Sequence, residues 1–464
     1  MFSKETYIKR RRELSKEFKS GILLFPGNGE SPMNYTDNTY HFRQDSSFLY
    51  YFGLNLPNLV GIIDIDENKE FIFGNDFTID DIIWMGSQKT ISEQSELVGI
   101  ENTSAISEMI KLLKSARQKV RKIHFLAPYR AETKIHLLNW LGIYPKESDK
   151  KASAKLTKAV INQRIYKSKE EIIEIEKAVN ITVDMHLAAM HMIKPGMSEA
   201  QIAAKVNGVA LASNGNLSFP IIATVNGQTL HNHYHGNILS KGQMLLLDAG
   251  AETEMGYGGD MSSTIPVDLK FSSKQKEIYQ IALTGHEAAV KAMQPGIRFE
   301  DIHILAAKTL AEGLKDLGFM KGNIDDAIIN GAHALFFPCG LGHMMGLDIH
   351  DMENLGEVDV GYNGKEKSTQ FGLKSLRLGR ELEPGFVLTI EPGIYFIPEL
   401  IDLWKSENKH KDFLNYDKIE EYRNFGGIRN EEDFVITENG YQLLGKKLPK
   451  TIDDVEYERA KPRI

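Results

Sequence analysis

The chain has 464 residues, 42% of them hydrophobic, which is enough for two or three domains rather than one core. Its 55 basic and 63 acidic residues leave a net charge of -8, which argues against nucleic acid as a partner. No apolar run approaches the roughly 20 residues of a membrane span, and the single cysteine, Cys339, fits a reducing compartment. We therefore expect a soluble, cytoplasmic protein that binds neither nucleic acid nor membrane.

The chain begins with a helical pattern that contains a basic run. Lys9 to Arg12, "KRRR", lies among Tyr7, Leu14 and Phe18, which can share one face of a helix. We interpret the basic run as a solvated helix face rather than a nucleic-acid site.

The region up to residue 165 mixes short apolar strands with helical patterns. The strands are predicted at "GILLFPG", "LVGIIDID", "EFIFG" and "KIHFLAP", and a helix is predicted at "AISEMIKLLKSARQK". This mixture is typical of an α/β layer domain, so residues 1–165 are predicted to form the first domain.

The second predicted domain, residues 166–464, opens with a helix signal. Ser168 and Glu171 form a capping box, and a helical pattern follows until Pro195 and Gly196. "HLAAMHMIKPGMSEAQI" from His186 resembles "HEAAVKAMQPGIRFEDI" from His286, with the His, both alanines, the Pro-Gly pair and the final Ile in common. Each copy predicts a helix, a turn and a second helix.

The repeat predicts two similar halves whose strands meet at a shared site. After each helix pair comes a strand that ends in an acid, "LLLDAG" in the first half and "VLTIEPG" in the second. The alternative is that two helices joined by a Pro-Gly turn are a common local pattern that implies no symmetry. The repeat alone leaves both interpretations open.

Five polar residues stand at apolar strand ends or in Gly-rich turns. They are Asp248, Asp260, His343, Glu391 and Glu431. A buried, unpaired carboxylate costs several kcal/mol, so each one must be neutralised, hydrogen-bonded or bound to a cation. Singly, each residue is more typical of a core or turn position. Together and in this order, they indicate a site.

These motifs resemble those of the aminopeptidase P and prolidase family of pita-bread metallopeptidases. That family combines an Asp in D-x-G, a second Asp, a His in a G-x-x-H-x-x-G-like segment, a Glu in E-P-G and a Glu in R-x-E. The segment "YHFRQDSSFLYYFGLNLPN" is similar to the family's N-terminal signature, so the resemblance spans nearly the whole chain. It implies an α/β (α+β) protein, with a creatinase-like N-terminal α/β domain and a pita-bread catalytic domain of pseudo-twofold halves.

The resemblance also implies two divalent metal ions per chain. Asp248 would chelate one ion, Asp260 and Glu431 would bridge, and His343 and Glu391 would bind the other. Four carboxylates and one imidazole are hard ligands, so manganese is the first choice, with cobalt, iron or zinc as alternatives.

Further residues are implied in catalysis beside the metal ligands. Glu391 would transfer a proton, and His350 and His233 would bind the substrate by donating hydrogen bonds to its carbonyl or to the intermediate. Arg429 would orient the ligand carboxylates. His231 and His235, in the same "TLHNHYHGN" segment, compete with His233 for its role.

Two departures from the family pattern concern the first carboxylate pair. The loop between Asp248 and Asp260 is one residue longer than usual, and "DMSST" stands where the family commonly has D-x-T-R-T, so the Arg is missing.

The predicted reaction is hydrolysis of the bond between an N-terminal residue and a following proline in peptides, by a homo-oligomer such as a dimer or tetramer. The alternatives are a prolidase that cleaves Xaa-Pro dipeptides and a metal-free peptide-binding protein of the same fold.

Overall fold

In the computed structural model, which describes residues 1–461, the chain divides into two compact units. The N-terminal unit comprises Met1–Ile165 together with Met352–Gly356. The C-terminal unit comprises Tyr166–Asp351 and the chain from Glu357 onward. Both units mix helices and strands, in agreement with the predicted α/β class.

The N-terminal unit is built on one mixed five-stranded sheet in the order β4-β3-β2-β1-β5. The strands are β1 Ile22–Pro26, β2 Val60–Asp64, β3 Lys69–Phe73, β4 Asn102–Ser104 and β5 Ile123–His124. The helices are α1 Lys4–Lys16, α2 Ser46–Phe52, α3 Ile79–Met85, α4 Ile91–Glu96, α5 Ile106–Gln118, α6 Ala131–Leu141, α7 Ser148–Lys151 and α8 Ala154–Arg164, with a 3-10 turn at Pro145–Glu147. Strands β1 and β5 run parallel, as do β3 and β4. The four strands and the helix predicted from the sequence are confirmed.

Apolar side chains of this sheet pack against α5 and α6. Leu24 and Ile62 from the sheet meet Met109 and Leu113 of α5 and Trp140 of α6 in one buried cluster. The spacing of Met109 and Leu113 places both side chains on one face of the helix, which explains why that face is buried.

The basic run in α1 corrects one expectation. Lys9 and Arg12 are exposed, but Arg10 and Arg11 are buried rather than solvated. Arg11 donates hydrogen bonds to the carbonyl oxygens of Tyr51 and Val98, at 2.9 Å each, and to Glu70 at 2.7 Å. These partners lie far along the chain, so local helix periodicity could not reveal them.

The C-terminal unit contains two long helix pairs and several shorter helices. They are α9 Lys169–Met192, α10 Glu199–Ala212, α11 Ser273–Ala292, α12 Phe299–Asp316, α13 Ile324–Ile329, α14 Glu357–Tyr362, α15 Pro398–Ser406, α16 Tyr416–Glu420 and α17 Ile452–Ala460. A further 3-10 turn spans Ala332–Leu335, and another, Glu353–Leu355, belongs to the N-terminal unit. The predicted capping box of Ser168 and Glu171 opens α9. Both copies of the repeat fold as predicted, into a helix, a turn and a second helix.

The strands of this unit form two three-stranded antiparallel sheets and two ribbons. They are β6 Asn216–Leu217, β7 Ile222–Thr224, β8 Met244–Ala249, β9 Ala251–Glu252, β10 Met261–Pro266, β11 Val387–Ile390, β12 Gly393–Tyr395, β13 Gly427–Arg429, β14 Glu432–Thr437 and β15 Gly440–Leu443. The sheet orders are β10-β8-β7 and β11-β14-β15, and the ribbons are β12-β13 and β6-β9. Each three-stranded sheet therefore follows one helix pair along the chain.

The loop between Asp248 and Asp260 folds back on itself as a tight hairpin. The N–H of Gly259 donates to Ala251 O at 2.9 Å, and the N–H of Thr253 donates to Tyr257 O at 2.9 Å. A Cβ added at Gly250 would lie 1.9 Å from the carbonyl oxygen of Gly259, so only glycine allows this approach. The long loop is thus closed by backbone hydrogen bonds close to both carboxylates.

Candidate metal centre

Four carboxylates lie at the ends of strands in two antiparallel pairs, β8-β10 and β11-β14. Asp248 is the penultimate residue of β8, and Asp260 directly precedes its partner β10. Glu391 directly follows β11, and Glu431 directly precedes its partner β14. Because antiparallel partners bring the end of one strand beside the start of the next, each half presents its two acids at one edge of its sheet.

Three residues from these ends form a compact buried cluster. Asp260, His343 and Glu431 each offer a ligand atom, and these atoms all lie within 4.8 Å of one another. The Nε2 of His343 is 3.4 Å from Asp260 Oδ2 and 3.6 Å from Glu391 Oε1. Three of the five predicted ligands therefore lie in mutual reach, Glu391 lies beside His343, and Asp248 adjoins them through an arginine described below.

The ring of His343 is oriented for coordination by one nitrogen. Its Nδ1 lies 3.0 Å from the carbonyl oxygen of Met344, which can only accept, so in the neutral ring Nδ1 carries the hydrogen. The Nε2 lone pair then faces the carboxylates, as in a histidine ligand whose second nitrogen is held by a carbonyl. Burial lowers the pKa of His343, but the hydrogen bond to Asp260 and the charges of Glu391 and Asp260 outweigh it and raise the pKa to about 9.

Burial also works against ionisation of the carboxylates. It raises the pKa of Asp248 to about 7, against the opposing charge of Arg429. It raises the pKa of Glu391 as well, and that of Glu431 well above its usual range. Neighbouring acids add to the rise at Asp248 and Glu431, so the cluster holds more negative charge than its own cations balance.

Unmatched oxygens at this place fit a bound cation. Within residues 1–461, the buried Oδ1 of Asp248 and Oδ1 of Asp433 have no hydrogen-bond partner. Leaving such atoms unpaired in a protein interior costs several kcal/mol, and a hard divalent ion coordinated by oxygen and imidazole removes that cost. The residues present therefore fit a metal centre.

Arg429 joins the carboxylates of both halves. Its guanidinium donates to Asp248 Oδ2 at 2.6 Å, to Ser262 Oγ at 2.8 Å and to the hydroxyl of Tyr395 at 3.1 Å. Ser262 Oγ in turn donates to Glu431 Oε2 at 2.8 Å. One buried cation thus holds Asp248 directly and Glu431 through a serine.

The histidines predicted to bind substrate occupy different surroundings. The ring of His350 meets that of His343 edge-on, with centroids 4.3 Å apart. His233 is exposed in the segment after β7, and no hydrogen bond or ion pair among the described residues joins it to the cluster. Its competitor His235 contacts Ile221 O through Nε2 at 3.1 Å, while burial and the charge of Arg429 lower the pKa of His231.

Two residues that the sequence analysis missed hold the bridging candidates across the halves. The N–H of Asp260 donates to Asp433 Oδ2 at 3.0 Å, and the N–H of Glu431 donates to Ser262 O at 3.1 Å. Ser262 lies two positions after Asp260, and Asp433 lies two positions after Glu431. Since side chains two apart in a strand share a face, that spacing was the available signal.

Two family models match the chain. The one described as Metallopeptidase family M24 matches residues 174–438, and the one described as Aminopeptidase P, N-terminal domain, matches residues 7–124. The first match covers more than half of the chain and contains all five predicted ligands.

Curated and solved proteins are similar along nearly the whole length. The Xaa-Pro dipeptidase of Homo sapiens is 29% identical over 443 residues, which cover 94% of this chain and 88% of that protein. The Xaa-Pro aminopeptidase of Escherichia coli is 29% identical over 467 residues, covering 98% and 97%. The solved structure of zinc-substituted E. coli aminopeptidase P in complex with product superposes with a TM-score of 0.82 and 28% identity, covering 100% of this chain and 99% of that one.

One further property concerns membranes. Among the described residues, no helix has both the length and the apolar composition to cross a bilayer.

Proposed function

The chain belongs to metallopeptidase family M24, and from that membership we propose that it is a metal-dependent exopeptidase that hydrolyses the bond between an N-terminal residue and a following proline. The observation that carries the proposal is the buried cluster of Asp260, His343 and Glu431, with Glu391 beside it. Similarity to an Xaa-Pro aminopeptidase over 98% of the chain supports the substrate class.

The proposed cofactor is a pair of divalent ions, with manganese first and cobalt, iron or zinc as alternatives. Asp248 would hold one ion, Asp260 and Glu431 would bridge, and His343 and Glu391 would hold the other. Four carboxylates against one imidazole make a hard donor set, whereas zinc prefers more nitrogen or sulfur. The cross-strand bonds from Ser262 and Asp433 support this division, because they fix the two bridging candidates against each other.

Divalent ions at such a centre make water acidic near pH 7 and polarise a bound carbonyl. Around them, Glu391 would accept the proton of the attacking water and deliver it to the leaving proline nitrogen. His350 would donate a hydrogen bond to the carbonyl oxygen as negative charge develops there, and its ring already lies against His343. His233 is proposed for a second donation from its exposed segment. Arg429 would keep Asp248 and Glu431 in their coordinating orientations.

The substrate bond explains why proline can be selected. Its nitrogen belongs to a ring and has no N–H, and the ring fixes φ near about -65°. A site for this bond can recognise ring shape without pairing an amide hydrogen. The free α-amino group of the substrate would be recognised by the acidic groups of the centre. Residues 1–165 are proposed as a separate domain before the catalytic domain of residues 166–464.

The second candidate is a prolidase, favoured by the 29% identity to the human Xaa-Pro dipeptidase. One assay separates the two activities: manganese-loaded protein receives Xaa-Pro dipeptides, Xaa-Pro-Yaa peptides and matched Xaa-Ala-Yaa peptides. We expect release of the first residue from Xaa-Pro-Yaa and much slower cleavage of the alanine series. Cleavage of dipeptides alone would establish the prolidase, and equal cleavage of the alanine series would remove proline specificity.

Elemental analysis addresses the third alternative, a metal-free peptide-binding protein. We expect about two manganese ions per chain after loading. Trace metal alone would contradict the enzyme proposal and favour the binding protein.

We also propose a cytoplasmic homo-oligomer, a dimer or tetramer. Helix α3 supports association, because it buries no residue and exposes Ile79, Ile83, Trp84 and Met85. Exposed apolar patches on folded proteins commonly mark interaction sites. Sedimentation equilibrium of the full chain tests this part, and a monomer at all concentrations would refute it.

A further inference from the structure

The histidine that opens the first copy of the repeat is buried against two ligand-bearing strands. His186 lies on α9 with 0% of its surface exposed. Its Nδ1 is 2.8 Å from Ser263 Oγ on β10, and its Nε2 is 3.1 Å from Ala249 O on β8. Ala249 follows Asp248, and Ser263 comes three residues after Asp260. One ring therefore bridges the strands that carry both acids of the first half.

The polarity of these bonds follows from the partners. The carbonyl of Ala249 can only accept, so Nε2 carries the hydrogen, and Nδ1 accepts from the hydroxyl of Ser263. Burial lowers the pKa of His186 to about 4, so the ring is neutral at pH 7 and both nitrogens are satisfied. Ser263 stands where the family resemblance leads one to expect arginine, and its hydroxyl is the group that His186 binds.

The second copy places His286 in the corresponding position with a looser fit. This residue of α11 is also fully buried, its Nε2 lies 3.7 Å from Glu432 Oε2, and its ring packs near Phe434, with centroids 6.5 Å apart. Both neighbours belong to β14, which Glu431 precedes. Among the described residues, neither ring nitrogen of His286 has a hydrogen-bond partner. Burial lowers the pKa of His286 to about 3, and the backbone of Ile390, next to Glu391, acts against that shift.

We propose that His186 is a positioning residue, which clamps β8 to β10 and so sets the separation of Asp248 and Asp260 for metal binding. His286 occupies the same place in the second half with a weaker hold on β14 and β11. The inference rests on the proposed function in one respect, that these carboxylates bind divalent ions.

A physical reason connects the clamp to affinity. Asp248 lies on β8 and Asp260 directly precedes β10, and a metal that binds both must find them at a set spacing. If the metal-free protein already holds the two carboxylates at that spacing, metal binding does not have to supply the free energy of ordering them. Groups that orient metal ligands commonly change affinity by about 10- to 100-fold when removed.

The test measures manganese affinity of the full-length protein, stripped with a chelator and titrated by calorimetry with Mn²⁺ alone. His186→Leu removes both hydrogen bonds, Ser263→Ala removes one from the other side, and His186→Asn keeps a polar group at the Nδ1 position. We expect affinity to fall about 10- to 100-fold in His186→Leu, less in Ser263→Ala, and to recover partly in His186→Asn. His286→Leu should lose less than about tenfold, because neither ring nitrogen of His286 has a hydrogen-bond partner among the described residues.

The matched control is His303→Leu, which removes another fully buried histidine of this unit, on α12, whose ring stacks on Phe337. Its thermal stability is expected to fall while its manganese affinity stays at the wild-type value. Circular dichroism of each metal-free variant verifies folding, and if His186→Leu does not fold, the milder Ser263→Ala and His186→Asn decide the question.

If His186→Leu folds and binds manganese with wild-type affinity, the clamp is refuted. If His186→Leu does not fold, wild-type affinity in both Ser263→Ala and His186→Asn refutes the clamp. Either result leaves the proposed function standing. An equal loss in His303→Leu would also refute the clamp, since any buried histidine would then suffice. A wild-type protein that binds no manganese would instead refute the proposed function, and this inference with it.

Discussion

The N-terminal unit and the acid cluster of the C-terminal unit differ in how their buried charges are matched. In the N-terminal unit, the buried guanidinium of Arg11 is matched by Glu70 and by backbone carbonyl oxygens. Arg121 likewise pairs with Asp64 and Asp66. In the C-terminal unit, buried acids crowd together. Asp248, Glu432 and Asp433 each retain an oxygen without a hydrogen-bond partner in the described chain, and burial raises the pKa of all three.

This difference separates structural from functional use of charge. A buried charge that is paired with fixed groups of the fold is neutralised once the chain has folded. It then holds structural elements together and needs no ligand. An acid cluster with too few fixed cations is complete only when it protonates or binds a mobile cation. The unmatched acid cluster therefore indicates a metal centre in the C-terminal unit. The matched buried charges of the N-terminal unit stabilise its fold.

The largest expected effect comes from removing one acid of the cluster. Asp260→Asn should lose most of the bound metal, because this carboxylate is proposed to bridge both ions, and kcat/KM should fall by at least about a thousandfold. Elemental analysis and Xaa-Pro-Yaa hydrolysis measure the two effects. Asp402→Asn, at an exposed acid paired with Arg423 in the same unit, is the matched control and should change neither. Full metal content in Asp260→Asn would show that the acid cluster does not bind metal through Asp260.

The next effect concerns the matched charge of the N-terminal unit. Arg11→Leu leaves Glu70 and several carbonyl oxygens without their donor, so we expect the free energy of unfolding of this unit to fall by about 3 kcal/mol. Hydrogen exchange of the β1 amides measures it. Manganese content should not change. Arg12→Leu, at the neighbouring position with an exposed side chain, should cost little, and a metal defect in Arg11→Leu would contradict the division.

A third prediction separates a metal ligand from a donor to substrate. His350→Ala should keep both ions and lower kcat by about a hundredfold, the usual effect of losing one oxyanion donor. His343→Ala should lose metal as well as activity. Measuring metal content and kcat in both variants sharpens the comparison. Metal loss in His350→Ala would make His350 a ligand, and full activity would leave it a packing residue.

The smallest effect is acid sensitivity of the C-terminal unit. Burial lowers the pKa of His303 to about 3, with His333 adding to the shift, whereas an unfolded histidine titrates near about 6.5. Because the folded pKa is the lower one, the stability it contributes is fully present above about pH 6.5 and is lost as the pH falls toward 3. Between pH 7 and pH 5 this single group should remove about 2 kcal/mol from the free energy of unfolding.

Urea unfolding at the two pH values, followed in wild type and His303→Phe, measures that contribution. The variant should lose less stability on acidification by about this amount. His41→Phe, at an exposed histidine, should behave as the wild type does. An unchanged pH dependence in His303→Phe would show that His303 does not stay neutral on folding.

Much of this architecture follows from local sequence. The apolar run of Met244 to Leu247 predicts β8, the Ser168 and Glu171 spacing predicts the start of α9, and the repeat predicts both helix pairs, because these signals act between near neighbours. The motif order likewise predicts the candidate metal ligands, whose roles remain predictions: Asp248, Asp260, His343, Glu391 and Glu431.

Tertiary structure alone decided which side chains form hydrogen bonds and ion pairs with residues far along the chain. Arg11 was expected in solvent and is buried, since its partners come from Tyr51, Glu70 and Val98. Ser262 and Asp433 were not singled out, although they hold Glu431 and Asp260 across the two halves. Periodicity reports which face of an element is apolar, but a hydrogen bond between residues far apart in the chain depends on how separate elements pack, and no local pattern encodes that packing.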